Sequence, residues 1–237
     1  ARHYASPNTV LGLIARRAEL LDSLARTLPG TCAVYPLDVA DTEALTRATG
    51  DFLARFGVPD LVIANAGISA GTSAEEVGDA AKLLRVLRVN VVGLAATLAA
   101  FAPSMRAAGR GTLVGIASVA GFRGLPGAGA YSASKAAAIA LLESLRVELS
   151  GSGVSVVTIC PGYIDTPMTR VNRYRMPFIL AADEAARRIA RAIAARRRVA
   201  VVPWQMALVS LLMRALPGWL FERLSARAKR KPRDLRL

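Results

Sequence analysis

Tyr131 and Lys135 open an alanine-rich stretch, Tyr131-Ser132-Ala133-Ser134-Lys135, thirteen residues after Ser118. On a helix, a spacing of four puts the phenol and the ammonium on one face, a single turn apart. A free tyrosine titrates near pH ~10, too high for proton exchange at neutral pH, and a neighbouring positive charge stabilises the phenolate. Lys135 is therefore expected to acidify Tyr131 and to offer a donor to a ribose hydroxyl. Ser118 would hold a substrate oxygen while Tyr131 gives or takes its proton. The spacing alone says little, because ordinary residue frequencies produce it often, so its meaning rests on the surrounding residues.

The elements that must position these groups follow from the hydrophobic pattern. Short β-branched runs at 9–15, 31–36, 61–64, 112–117, 154–159 and 198–202 read as strands. Longer alanine- and leucine-rich stretches at 18–28, 42–56, 80–107, 130–150 and 183–195 read as helices. Strict alternation of the two predicts an α/β fold, a doubly wound parallel sheet in a Rossmann-like three-layer α/β/α arrangement. Asp41 is placed to cap the helix starting at Thr42, and Gly57 with Pro59 to stop it. Residues 1–202 form the dinucleotide-binding catalytic domain in this reading, and 203–237 an apolar and basic extension of it.

Such a sheet binds ligands beyond the carboxyl ends of its strands. After the first run stand Arg16 and Arg17, whose guanidinium forks suit a ribose 2'-phosphate and favour NADP(H) over NAD(H), or are simply solvated. After the second come Asp38, able to accept from an adenine amino group, and Val39. After the third, Asn65, Ala66 and Gly67 are small enough to let the backbone approach a flat ligand.

As a set, these residues resemble the short-chain dehydrogenase/reductase family. Asn65-Ala66-Gly67, Asn90 within Arg88-Val89-Asn90-Val91, Ser118, Tyr131 with Lys135, and Pro161-Gly162 occur in the family's order, across about residues 8 to 202. The resemblance implies NAD(P)-dependent hydride transfer between an alcohol and a carbonyl, with Ser118, Tyr131 and Lys135 catalytic and Asn90 holding a water that relays protons to Lys135. It also implies that Thr166, in Ile164-Asp165-Thr166-Pro167, meets the nicotinamide carboxamide, that Pro161, Gly162 and Ile164 line the cofactor, and that Arg16 and Asp38 contact its adenosine end. The sequence departs from the family at its start. The glycine-rich turn that would hold the pyrophosphate does not precede Thr9, so a first strand and that turn are expected to be missing from the chain.

Composition narrows the alternatives. Of 237 residues, 53% are hydrophobic and 20% charged, which argues for a packed domain rather than disorder. The single histidine, His3, makes a Ser-His-Asp hydrolase or a multi-histidine metal centre unsuitable, and no metal ligand set is assigned. Cys32 and Cys160 sit far apart in apolar runs, which fits a reducing compartment and a cytoplasmic location.

The net charge of +14 is concentrated at one end. From Arg170 onward the chain holds 17 Lys+Arg against 4 Asp+Glu. Between Ile164 and Ile179, Met168, Tyr174, Met176 and Phe178 suggest a lid over a lipophilic alcohol or carbonyl substrate, while Arg170, Arg173 and Arg175 face solvent or an anionic substrate group.

Beyond Pro203, Trp204 and Trp219 flank an apolar run with a narrow polar stripe of Gln205, Ser210 and Arg214, and Arg227, Lys229, Arg230, Lys231 and Arg233 follow. The pattern is that of a segment in the interface of an anionic bilayer, here 204–233 on the cytoplasmic membrane face, or of a helix packed on the body or on a second subunit of a homo-oligomer. Nucleic acid is disfavoured, because the cluster has no aromatic platform. Of two functions, an NADP-preferring oxidoreductase is expected over a non-catalytic dinucleotide sensor or scaffold of the same fold.

Overall fold

The computed structural model describes residues 1–73, 75–172, 174–226 and residue 231. Strands and helices alternate as β1 (Val10–Ala15), α1 (Ala18–Arg26), β2 (Thr31–Pro36), α2 (Thr42–Phe56), β3 (Leu61–Ala64), α3 (Asp79–Leu87), α4 (Leu94–Ala107), β4 (Gly111–Ile116), α5 (Gly129–Glu148) and β5 (Val154–Pro161). Two short strands, β6 (Ile164–Asp165) and β7 (Leu180–Ala181), then enclose α6 (Pro167–Arg170). They lead to α7 (Ala182–Ala194), β8 (Val199–Val202), α8 (Trp204–Ala215) and α9 (Gly218–Ser225).

The described strand pairs are all parallel, which is why β4 and β5 read as nearly unbroken apolar runs rather than as alternating ones. Leu113 and Val114 on β4 and Val157 and Ile159 on β5 are fully buried. Asp41 caps α2 as expected, its carboxylate accepting the Ala44 N–H at 2.9 Å.

The single continuous sheet expected from the sequence is divided into three, the smallest being the pair β6-β7. β3, β4, β5 and β8 form a four-stranded sheet in the order β3-β4-β5-β8, while β1 bonds only to β2, with Val10 opposite Thr31 through Ala15 opposite Pro36. Shared packing joins them. Ala33 of β2, Phe52 of α2, Val62 of β3, Phe101 of α4 and Leu113 of β4 belong to one core cluster, and the Phe52 and Phe101 rings meet edge to face at 6.1 Å. Nor does the structure support the expected loss of a preceding strand: β1 is the first strand, and residues 1–9 bond locally in turns, with Tyr4 and Ala5 donating to Ala1 and Thr9 to Ser6.

The expected helix 80–107 is also divided. Arg88–Gly93 is π-helical between α3 and α4, and it carries Asn90. A Cβ at Gly93 would come within 2.6 Å of the Val39 side chain, so this turn is pressed against the loop after β2. An inserted residue of this kind re-aims a side chain without ending the helix, a change that hydrophobic periodicity cannot report. The C-terminal run is split at Leu216, which takes an extended backbone ahead of Pro217.

Candidate active site

Four elements converge on Tyr131. β4 delivers Ser118 just past its end, where the hydroxyl caps the short turn Val119–Gly121 by accepting the Ala120 N–H at 3.2 Å and lies 3.4 Å from the Pro161 carbonyl on β5. That turn rests directly on α5. A Cβ at Gly121 would stand 2.7 Å from the Lys135 carbonyl carbon, so only glycine permits the approach. The Ser118 hydroxyl lies close enough to the Tyr131 phenol to oppose the effect of burial on it. The Lys135 ammonium donates to the Ile116 carbonyl at 2.8 Å and lies 5.8 Å from the centre of the Tyr131 ring.

Burial governs the electrostatics here. It pushes the Tyr131 phenol above its ordinary value, against the opposing effect of Ser118, and it brings the Lys135 ammonium down to about 8. In the protein alone, burial thus favours the neutral, proton-bearing phenol. Burial also pushes the neighbouring Cys160 thiol up to about 12, so that side chain is a neutral wall of the site.

Asn90 is fully buried and acts as a clamp. Its amide nitrogen donates to the Ile68 carbonyl and to the Ser134 hydroxyl, both at 2.9 Å, and its Oδ1 accepts the Ile68 N–H at 2.8 Å. Ser134 in turn donates to the Tyr131 carbonyl at 2.7 Å. Both amide donors of Asn90 are thus spent on protein groups. A Cβ at Gly67 would come 3.3 Å from Asn90 Oδ1 and 3.5 Å from Lys135 Nζ, so the end of β3 reaches the same spot.

A second group lies at the ends of β1 and β2. An Arg16 guanidinium nitrogen is 3.9 Å from an Asp38 carboxylate oxygen, with both side chains well exposed, and Asp38 also accepts the Ala40 N–H at 3.0 Å. Asn65 and Ala66 are exposed at the end of β3, Arg17 is exposed at the start of α1, and Val39 is buried beneath Gly93. This surface, open and free of bulky side chains at 65–67, fits a dinucleotide with its adenosine end toward Arg16 and Asp38. A glycine-rich pyrophosphate turn is absent among the described residues.

Beyond β5, Pro161 is buried, Gly162 is packed by Met206, and Ile164 passes its carbonyl to the Thr169 hydroxyl at 2.5 Å. Thr166 is engaged with Thr169, its N–H donating to that hydroxyl at 3.0 Å. The lid is only partly as expected. Tyr174 meets Tyr163 edge to face at 6.3 Å, and burial, with Tyr163 and Tyr131 nearby, pushes its phenol up to about 12. Met168, Phe178 and Ile179 are instead turned to solvent, and Arg170 is taken up by Asp165, its Nε 2.7 Å from the carboxylate. Arg173 lies outside the described residues.

Three residues at the site carried no sequence signal. Tyr163 was hidden in the Pro161-Gly162 segment, and Ser69 is a buried serine four residues past Asn65. Lys231, expected among the residues at a membrane, donates to Ser69 Oγ at 2.6 Å and lies 5.4 Å from the centre of the Tyr131 ring, with burial bringing it down to about 8. Its neighbours Arg227, Lys229, Arg230 and Arg233 lie outside the described residues.

Residues 1–176 match the family described as short chain dehydrogenase. An uncharacterized oxidoreductase of Myxococcus xanthus is 38% identical over 193 residues, covering 81% of this chain and 76% of that protein. The 2-(R)-hydroxypropyl-CoM dehydrogenase of Xanthobacter autotrophicus is 36% identical over 159 residues, covering 65% of this chain and 64% of that protein, so the chain spans less than two thirds of that relative's length. Among solved structures, a short-chain dehydrogenase from Streptomyces avermitilis superposes with a TM-score of 0.72 at 26% identity, covering 93% of this chain and 90% of that one. With most of its length matched in sequence and in fold, the chain belongs to the short-chain dehydrogenase/reductase family, NAD(P)-dependent oxidoreductases that act on CH–OH groups.

Proposed function

We propose that this protein interconverts a small lipophilic alcohol and its ketone or aldehyde, with NADP(H) favoured over NAD(H). The observation that carries the reading is the convergence of Ser118, Tyr131, Lys135 and the Asn90 clamp on one buried spot beside the open end of β3. A non-catalytic sensor would have no need of a phenol set beside a serine hydroxyl and a buried ammonium.

The cofactor, when bound, supplies or accepts the hydride at its nicotinamide. The chain's own groups do the rest. Ser118 donates to the substrate oxygen and fixes its position, and Tyr131 passes its proton to that oxygen as a carbonyl is reduced. Lys135, pinned by the Ile116 carbonyl, keeps further N–H donors for a ribose hydroxyl. Arg16 and Arg17 supply donors for a 2'-phosphate, and Asp38, Val39, Asn65, Ala66, Gly67, Pro161, Gly162, Ile164 and Thr166 line the dinucleotide.

The test is a titration of NADPH and NADH by cofactor fluorescence, followed by a screen of aldehydes, ketosteroids and long-chain ketones with whichever cofactor binds. Tighter binding of NADPH and turnover of apolar carbonyls support the reading. Binding of neither cofactor, or binding of both with no turnover across the screen, refutes it.

A further inference from the structure

Helix α8 turns much of its apolar surface, one tryptophan and three leucines, away from the body, while two of its polar side chains, Gln205 and Ser210, point inward. Ser210 and Met206 are buried, and the Gln205 Oε1 and Ser210 Oγ atoms are buried without a hydrogen-bond partner. Trp204, Leu208, Leu211 and Leu212 face away from the body, each more than half exposed, and Trp219 and Leu224 continue the same character on α9. A surface helix folded only for its own domain would be arranged the other way round. The two helices are also firmly held: the Arg123 guanidinium donates to the Leu216 carbonyl at 3.1 Å and stacks 4.4 Å from the centre of the Phe221 ring, while Arg214 stacks 5.6 Å from that of Phe122. The apolar face is thus presented by a fixed scaffold, and a patch of such side chains marks a docking surface.

Charge selects the occupant. The chain from Arg170 onward is strongly cationic, Arg214 and Arg223 are exposed on α8 and α9, and Arg227, Lys229, Arg230, Arg233 and Arg236 follow in sequence. A second copy laid on this face would set two cationic surfaces against each other, whereas anionic lipid headgroups neutralise them. Tryptophan at the edges of the apolar face suits the boundary between headgroups and acyl chains. Spanning is excluded for these helices, which are 12 and 8 residues long against the ~20 that a crossing needs. The one stretch among the described residues long and apolar enough to cross, Asp79–Ala107, is the interrupted helix that carries Asn90 into the active site.

We propose that the outward face of α8 and α9 seats in the interfacial layer of an anionic phospholipid bilayer, its tryptophans and leucines among the upper acyl chains and the flanking arginines on the headgroups. Because Met206 of α8 packs against Gly162, this orientation holds the substrate side of the site close to the lipid surface.

Trp204 and Trp219 are the only tryptophans in the chain, so their emission reports on this face directly. The full chain, mixed with phosphatidylcholine vesicles containing phosphatidylglycerol, should sediment with them, shift its emission to the blue and be quenched by brominated lipid. It should do none of these with phosphatidylcholine alone. The double variant Leu211→Asp/Leu212→Asp, altered at solvent-facing positions and checked for native circular dichroism, should lose about tenfold or more of the partitioning. Unchanged tryptophan emission on anionic vesicles overturns the proposal. So does undiminished binding of the double variant, which would leave only adsorption of the basic end. A blue shift that grows with protein concentration in the absence of lipid overturns it in favour of a second copy.

Discussion

Replacing Asn90 with alanine tests whether the clamp under the active site is real. The substitution removes two hydrogen bonds to the Ile68 backbone and one to Ser134, all between 2.8 and 2.9 Å, from a side chain with no solvent exposure. The Ser134 hydroxyl keeps its bond to the Tyr131 carbonyl, so the main loss falls on the Ile68 N–H and carbonyl. At roughly 1–3 kcal/mol for each of the two polar groups left unpaired inside the protein, the expected destabilisation is about 2–6 kcal/mol. For a chain of this size each kcal/mol lowers the melting temperature by about 2–4 °C, which makes the expected drop about 4–24 °C. Thermal unfolding followed by calorimetry and by circular dichroism measures it. Asn90→Asp should fall short of full rescue, since it keeps an acceptor for the Ile68 N–H but faces the Ile68 carbonyl with no donor. A variant with alanine that melts within about 1 °C of the parent and keeps its kcat would refute the assignment of Asn90 as the residue holding the 66–68 turn to α5.

Further outcomes follow from the same geometry. Arg16→Ala should weaken NADPH by about ten- to a hundredfold, the worth of a charge-assisted hydrogen bond, and leave NADH nearly unchanged; equal losses for both would remove the 2'-phosphate assignment. Gly121→Ala should cut kcat steeply and destabilise by about 1–3 kcal/mol, because the new methyl meets the backbone of Lys135 and Ala136 at under 3 Å and the turn bearing Ser118 must lift; wild-type activity would show that α5 can yield. Lys135 titrates near 8 when folded and near its ordinary 10.5 when unfolded. Below pH 8 the fold therefore bears the full cost of a buried ammonium. Between about 8 and 10.5 the unfolded chain binds more protons, so stability rises with pH, by up to about 3 kcal/mol from this group. Lys135→Met should flatten that rise in denaturation profiles taken from pH 7 to 10, and parallel profiles would contradict the depressed value.

Much of this architecture is legible in the residues. Strands β2 and β3 and helix α2 lie where the apolar runs and the Asp41 cap place them, because those signals are local. The grouping at the candidate site is legible for a different reason: Tyr131 and Lys135 share a helical face through their spacing alone, and Ser118 is fixed by the end of a buried strand. What the sequence conceals is long-range. No local pattern tells that the turn at Arg88–Gly93 is π-helical, or that Gly93 meets Val39 from another loop. Lys231 lies a hundred residues from Tyr131, and only tertiary structure brings its ammonium to Ser69. The division of the sheet was likewise invisible, since strand pairing is decided by partners rather than by composition. Nor can spacing report desolvation: burial pushes the Tyr131 phenol up, and burial is a product of the whole fold.

The most direct measurement is made with Tyr131→Phe, which removes one hydroxyl and little else. If the proton leaves from this phenol, the variant should bind the cofactor with nearly unchanged affinity while its kcat on any carbonyl reduced by the parent falls by about a hundredfold or more. Reduction at a rate close to the parent's, with cofactor binding intact, would contradict the account.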